Sequence, residues 1–124
     1  MPECKWLLNN LRISRVGDII VVNQPYLDIW HRDILECAAA AYKTDIVLLA
    51  QDFYWDLDAY LPSLYVKAVK NVDAIRNIIK QMFRDSEVEE LDGNIFHIGF
   101  WKYEDAERAM KEIVDKLQSS ARET

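Results

Sequence analysis

Asp18-Ile-Ile-Val-Val-Asn23 is the stretch on which the fold turns. Four consecutive β-branched residues with no polar alternation suit a strand buried on both faces, not one lying half in water. Asp45-Ile-Val-Leu-Leu-Ala50 repeats that texture. Asn94-Ile-Phe-His-Ile-Gly-Phe-Trp101 supplies a third such run, introduced by the turn signal Asp92-Gly93. Helical spacing fills the intervals. Trp30, Ile34, Cys37, Ala38 and Ala41 recur at helical spacing, as do Leu61, Leu64, Tyr65, Ala68 and Val69. After Asn71-Val72-Asp73, where Asp73 suits a helix cap, Ile75, Ile78, Ile79, Met82 and Phe83 continue the stripe. The clearest helix carries Ala106, Ala109, Met110, Ile113, Val114 and Leu117. Its acids Glu104 and Asp105 come first and Lys111 and Lys116 later, as the helix dipole favours. A short helix over about residues 3–10 leads in.

Buried strands alternating with helices imply crossover connections and a parallel sheet. The expected fold is therefore α/β: one Rossmann-like domain spanning residues 1–124. It has a small parallel sheet of about three strands, helices on both faces, and a frayed tail over 118–124. So small a sheet would leave exposed edges, which favours self-association or a protein partner.

Composition agrees with a globular chain. Of the 124 residues, 51% are hydrophobic and 29% charged, and only 3 are glycine and 3 proline, too few for a turn-rich sandwich or barrel. The formal charge of −6 disfavours a broad nucleic-acid footprint or an anionic membrane surface. No apolar run reaches the length of a membrane span, and Met1-Pro2-Glu3-Cys4-Lys5 lacks the features of a signal peptide, so a cytoplasmic location is expected. Cys4 and Cys37 are too few for a disulfide scaffold and are read as buried thiols.

In a parallel α/β sheet, ligands bind beyond the carboxyl ends of the strands, which directs attention to the loops over 23–30, 50–58 and 100–105. The first, Asn23-Gln-Pro-Tyr-Leu-Asp-Ile-Trp-His31, has none of the glycines, lysine or Ser/Thr that cradle a nucleotide phosphate. Pro25 removes an amide, and Asp28 puts a negative charge where phosphate would sit. The second loop holds Asp52, Asp56 and Asp58; helix capping explains Asp56 or Asp58 more simply than a bound cation, and no metal or cofactor is expected. Aromatic residues crowd all three loops. Tyr26, Trp30, Tyr54, Trp55, Tyr60, Phe100 and Trp101 would form a rim along one sheet edge, serving as a contact surface or as a small core beneath the loops.

Trp6-Leu7-Leu8 through Ile13-Ser-Arg15-Val-Gly17 and the first strand, followed by a second strand ending in Gln51-Asp52 and by Glu90-Leu-Asp-Gly-Asn-Ile-Phe-His-Ile98, resembles the first half of a RecA-superfamily domain of the KaiC or RadA type. With residues 24–32 in place of the phosphate-binding loop, that resemblance implies a catalytically silent binding or assembly subunit. A second reading centres on Glu36. Asp33-Ile-Leu-Glu36, followed by five alanine-or-cysteine positions and Tyr42, is similar to the nucleoside deoxyribosyltransferase pattern, in which this glutamate is the nucleophile. That resemblance implies a small enzyme acting on a nucleoside or similar molecule, with Glu36 as nucleophile or base beside His31 and Asp52. His97, inside the third strand, is read as a satisfied core histidine.

Overall fold

The computed structural model describes residues 4–23, 30–52 and 62–122, with side chains as far as Ser119. Ten elements follow one another: α1 (Cys4–Asn9), β1 (Ile13–Val16), β2 (Ile19–Asn23), α2 (His31–Ala41), β3 (Ile46–Gln51), β4 (Ser63–Ala68), α3 (Val72–Met82), β5 (Glu89–Leu91), β6 (Ile95–Gly99) and α4 (Tyr103–Arg122). The strands form one six-stranded sheet in the order β1-β2-β3-β4-β6-β5. Among the described strands only β2 and β3 are parallel, and the other neighbouring pairs are antiparallel. The expected small parallel sheet of three strands is thereby corrected to a larger, mixed one.

Three short strands account for the difference. Ser63-Leu-Tyr-Val-Lys-Ala68 is a strand, not a helix, and it inserts antiparallel between β3 and β6. Its Leu64, Val66 and Ala68 are fully buried, while Tyr65 and Lys67 are partly exposed, which is period-two burial. The same apolar residues also satisfy a helical spacing, and over six residues the two periods cannot be separated by pattern alone. Gly17-Asp18 turns β1 back onto β2 as a two-residue hairpin, with Gly17 at φ 61°, the left-handed conformation such turns demand. Asp92-Gly93-Asn94 turns β5 onto β6, with Gly93 at φ 84° and Asn94 at φ 60°. The edges are thus β1, with Arg15, and β5, with Glu89 and Glu90. Short, charged edge strands resist pairing with another chain, so the edge argument for self-association no longer applies.

The sheet is covered on both sides. On one face Leu7 of α1 and Ile34, Leu35 and Ala38 of α2 pack against Ile20, Val22, Val47, Leu49 and Ile95. On the other, Ile75 and Ile79 of α3 and Ala106, Met110 and Ile113 of α4 pack against Ile46, Leu48, Val66, Phe96 and Ile98. β3 runs through the middle with all six residues buried. A disulfide joins Cys4 of α1 to Cys37 of α2, which corrects the reading of both as free thiols. At the start of α3 the cap position falls on Asn71, at φ 55°, not on Asp73, which bonds Arg76 in the next turn. The tail from Gln118 is helical as far as Arg122.

Candidate functional site

The strand directions decide what meets what. β3 is parallel to β2 and antiparallel to β4, and β4 is antiparallel to β6. The carboxyl ends of β2, β3 and β6 therefore lie at one end of the sheet, although a strand of opposite sense separates β3 from β6. Asn23, Gln51, Asp52, Ser63 and Gly99 gather there, and the Phe100 N–H donates to the Pro62 carbonyl at 2.8 Å.

Among the described residues two exposed tryptophans mark this end. Trp101, just beyond β6, is 92% exposed, and Trp30, immediately before α2, is 41% exposed. Phe100 is partly buried and packs against the core on the α3 and α4 side. Tyr103 donates its hydroxyl to Asn23 Oδ1, and Asn23 Nδ2 donates to Glu107 Oε2 at 2.7 Å, which ties α4 to the end of β2. Tyr26, Tyr54, Trp55 and Tyr60 lie outside the described residues.

On the α2 face, β4 presents Ser63, Tyr65 and Lys67, because alternate residues of a strand share a face. Tyr65 stands opposite His97 of β6, and His97 stands opposite Glu89 of β5. The rings form a ladder. His31 stacks on Tyr65 at 4.1 Å between centroids and 7° between planes. Tyr65 stacks on His97 at 4.8 Å, and Trp30 leans on His31 at 4.9 Å. His97 is bonded through both nitrogens: Nε2 lies 2.8 Å from Ser63 Oγ, and Nδ1 lies 3.2 Å from Glu89 Oε1.

Burial dominates the electrostatics of this ladder. It pushes His31 down to about 4, with the neighbouring Arg32 and His97 adding to the effect. It also lowers His97, against the opposing pull of Glu89, and raises Tyr65. Both imidazoles are consequently neutral at pH 7, and a neutral imidazole can accept as well as donate a hydrogen bond.

The three residues of the nucleoside reading do not converge. Glu36 is ion-paired with Lys67 at 3.2 Å, and Lys67 also donates to the Gly93 carbonyl. Arg32 donates to the Asp92 carbonyl at 2.8 Å, so the β5–β6 turn is held against α2 from two sides. A Cβ at Gly93 would come within 3.1 Å of the Arg32 guanidinium, which leaves little room for another residue in that turn. His31 faces Tyr65 instead of Glu36. Asp52, beyond β3, is buried with its Oδ1 unbonded, and no hydrogen bond or ion pair joins it to Glu36 or His31 among the described residues.

Ser63, Tyr65, Lys67 and Glu89 were not singled out by sequence. The usable signal was the alternation Ser63/Tyr65/Lys67 against Leu64/Val66/Ala68. At the opposite end of the molecule a groove of about 430 Å³ is lined by Ile19, Ile46, Ile75 and Leu117, with Asp18 and Asp45 also in its wall. None of the strand-end residues reaches it. Among the described residues no group of His, Cys, Asp and Glu is arranged to hold a metal ion, and no helix is long and apolar enough to cross a membrane. No protein-family model and no curated protein sequence matches the chain.

Proposed function

We propose that the protein is a binding and assembly module that associates with a second copy of itself through the tryptophan-bearing end of the sheet. Trp101 carries this reading. A tryptophan 92% exposed among the described residues, on a short link between β6 and α4, presents a large apolar surface to water. Such side chains are enriched among the residues that dominate interface energies. Trp30 at the same end supplies a second anchor, and its lean on the His31 ring presents it on a backed surface. The short link also limits how far Trp101 can retreat, because β6 ends at Gly99 and α4 begins at Tyr103.

Sedimentation velocity between about 1 and 100 µM tests the reading, a range that brackets ordinary homodimer affinities. The expected result is a concentration-dependent dimer that Trp101→Ala converts to monomer. Truncation of a central interface tryptophan costs about 2 kcal/mol or more, roughly thirtyfold in affinity. A wild-type protein that stays monomeric throughout overturns the proposal, as does a Trp101→Ala variant that dimerises equally well.

A further inference from the structure

We propose that Ser63, His97 and Glu89 form a nucleophile–base–acid relay able to hydrolyse small activated esters. The observation is geometric and independent of the tryptophan end. Three side chains from three adjacent strands stand in a row, with Ser63 Oγ 2.8 Å from His97 Nε2 and His97 Nδ1 3.2 Å from Glu89 Oε1. A carboxylate can only accept, so Glu89 assigns the ring proton to Nδ1 and leaves the Nε2 lone pair to take the serine proton. A nucleophile within reach of a base that a third group orients is the arrangement by which hydroxyl groups are activated.

The surroundings support the relay. Tyr65 stacks on the His97 ring and holds its plane. Burial keeps His97 in its neutral, basic form at pH 7. Glu89 is exposed and Ser63 only 5% exposed, so the row runs from solvent to a nearly enclosed hydroxyl. A serine only 5% exposed favours a small acyl group. The adjacent Phe100 N–H is already donated to Pro62, so the leaving group must depart readily without it. A phenolate meets that requirement, whereas the amine of an amide does not. The substrate class is therefore an aryl ester of a short acid.

The chemistry balances without a cofactor. Ser63 Oγ adds to the ester carbonyl as its proton passes to His97 Nε2. The carbon–phenoxide bond breaks, and the imidazolium returns that proton to the leaving phenoxide. Water then adds to the acyl-serine with His97 again as base, and the acid is released with Ser63 restored. Ser63 and His97 are the catalytic residues; Glu89 and Tyr65 are positioning residues.

The test uses the whole chain with p-nitrophenyl acetate as substrate and phenylmethylsulfonyl fluoride as covalent probe. Expected are protein-dependent release of nitrophenol and a single sulfonyl adduct mapped by mass spectrometry to Ser63. Ser63→Ala and His97→Ala each lower the rate by about a hundredfold or more. Glu89→Ala lowers kcat with little change in KM, and Glu89→Asp recovers part of the loss, which a purely structural role for Glu89 would not produce. Hydrolysis that survives Ser63→Ala in a folded protein overturns the proposal. If that variant does not fold, the adduct on the wild-type chain decides, and its absence from Ser63 overturns the proposal equally.

Discussion

The His31 imidazole lies against the rings of Trp30 and Tyr65, with the Arg32 charge beside it. Folding therefore works against its protonation. Between its ordinary value of 6.5 and its folded value of about 4, the unfolded chain binds more protons than the folded one. Stability contributed by neutral His31 is thus fully present above pH 6.5, and it is lost as pH falls toward 4. His97 shifts in the same direction. Urea unfolding at pH 7 and pH 4.5 should show the loss, about 1–2 kcal/mol from His31 after allowing for its part-exposure. His31→Phe, which keeps a ring on Tyr65 but cannot titrate, should flatten that dependence; an unchanged pH profile in the variant would remove His31 as its source. Little of this was legible in the sequence. Glu36 and Asp52 looked like partners for His31 because they are close in the chain or at a strand end, but the ring's real neighbour, Tyr65, is 34 positions away on a segment read as helix.

At the scale of elements, legibility followed burial and length. β2, β3 and β6 announce themselves because strands covered on both faces are continuously apolar and β-branched. β1 and β5 lie at the edges, have three or four residues, and carry the charges that keep edges from pairing, so they read as loop. β4 satisfies both periods, and reading it as a helix is what made the sheet look small and parallel. The relay of Ser63, His97 and Glu89 depends on the β4–β6–β5 register and was invisible for the same reason. The link between α1 and α2 was equally hidden, since two cysteines 33 residues apart form no recognisable pattern. α1 has six residues and buries only Leu7 completely, so it depends on that cross-link more than any other helix. Closing a loop of this length removes about 3–4 kcal/mol of chain entropy from the unfolded state. Cys37→Ser should lower stability to a comparable extent in chemical denaturation, and amide exchange should accelerate first in α1. Equal stability with and without the bond would show that α1 is held by packing alone.

The whole molecule has two poles, set by strand direction. One carries the carboxyl ends of β2, β3 and β6 with Trp30 and Trp101, and the other carries the amino ends of β2 and β3 with the groove walled by Asp18 and Asp45. The polarity survives the correction of the fold because β6 runs in the same sense as β2 and β3 even though β4 intervenes. Reading three strand ends onto one edge needed only their common direction, whereas reading a three-stranded parallel sheet also needed their adjacency. The proposed dimer uses the first pole alone. It leaves the groove at the other pole outside the contact, and it meets the ring ladder of the α2 face at Trp30.

β3 has a further consequence. Its six residues, Ile46-Val-Leu-Leu-Ala-Gln51, contain no charge, no proline and no glycine, and the native sheet buries every one of them. That is the composition of a segment able to stack on copies of itself as an amyloid spine. Neither Asp45 nor Asp52 interrupts the run; they stand outside it as flanking gatekeepers whose charges repel like segments. Acid weakens the native defence, because protonated His31 loosens the fold that buries the run. Incubation near pH 4 should therefore yield fibrils that bind thioflavin T. Leu48→Lys, placed mid-run, should abolish them even though it also unfolds the domain, because a buried charge at each layer cannot be stacked. Fibrils formed by that variant at the wild-type rate would assign the spine to another segment.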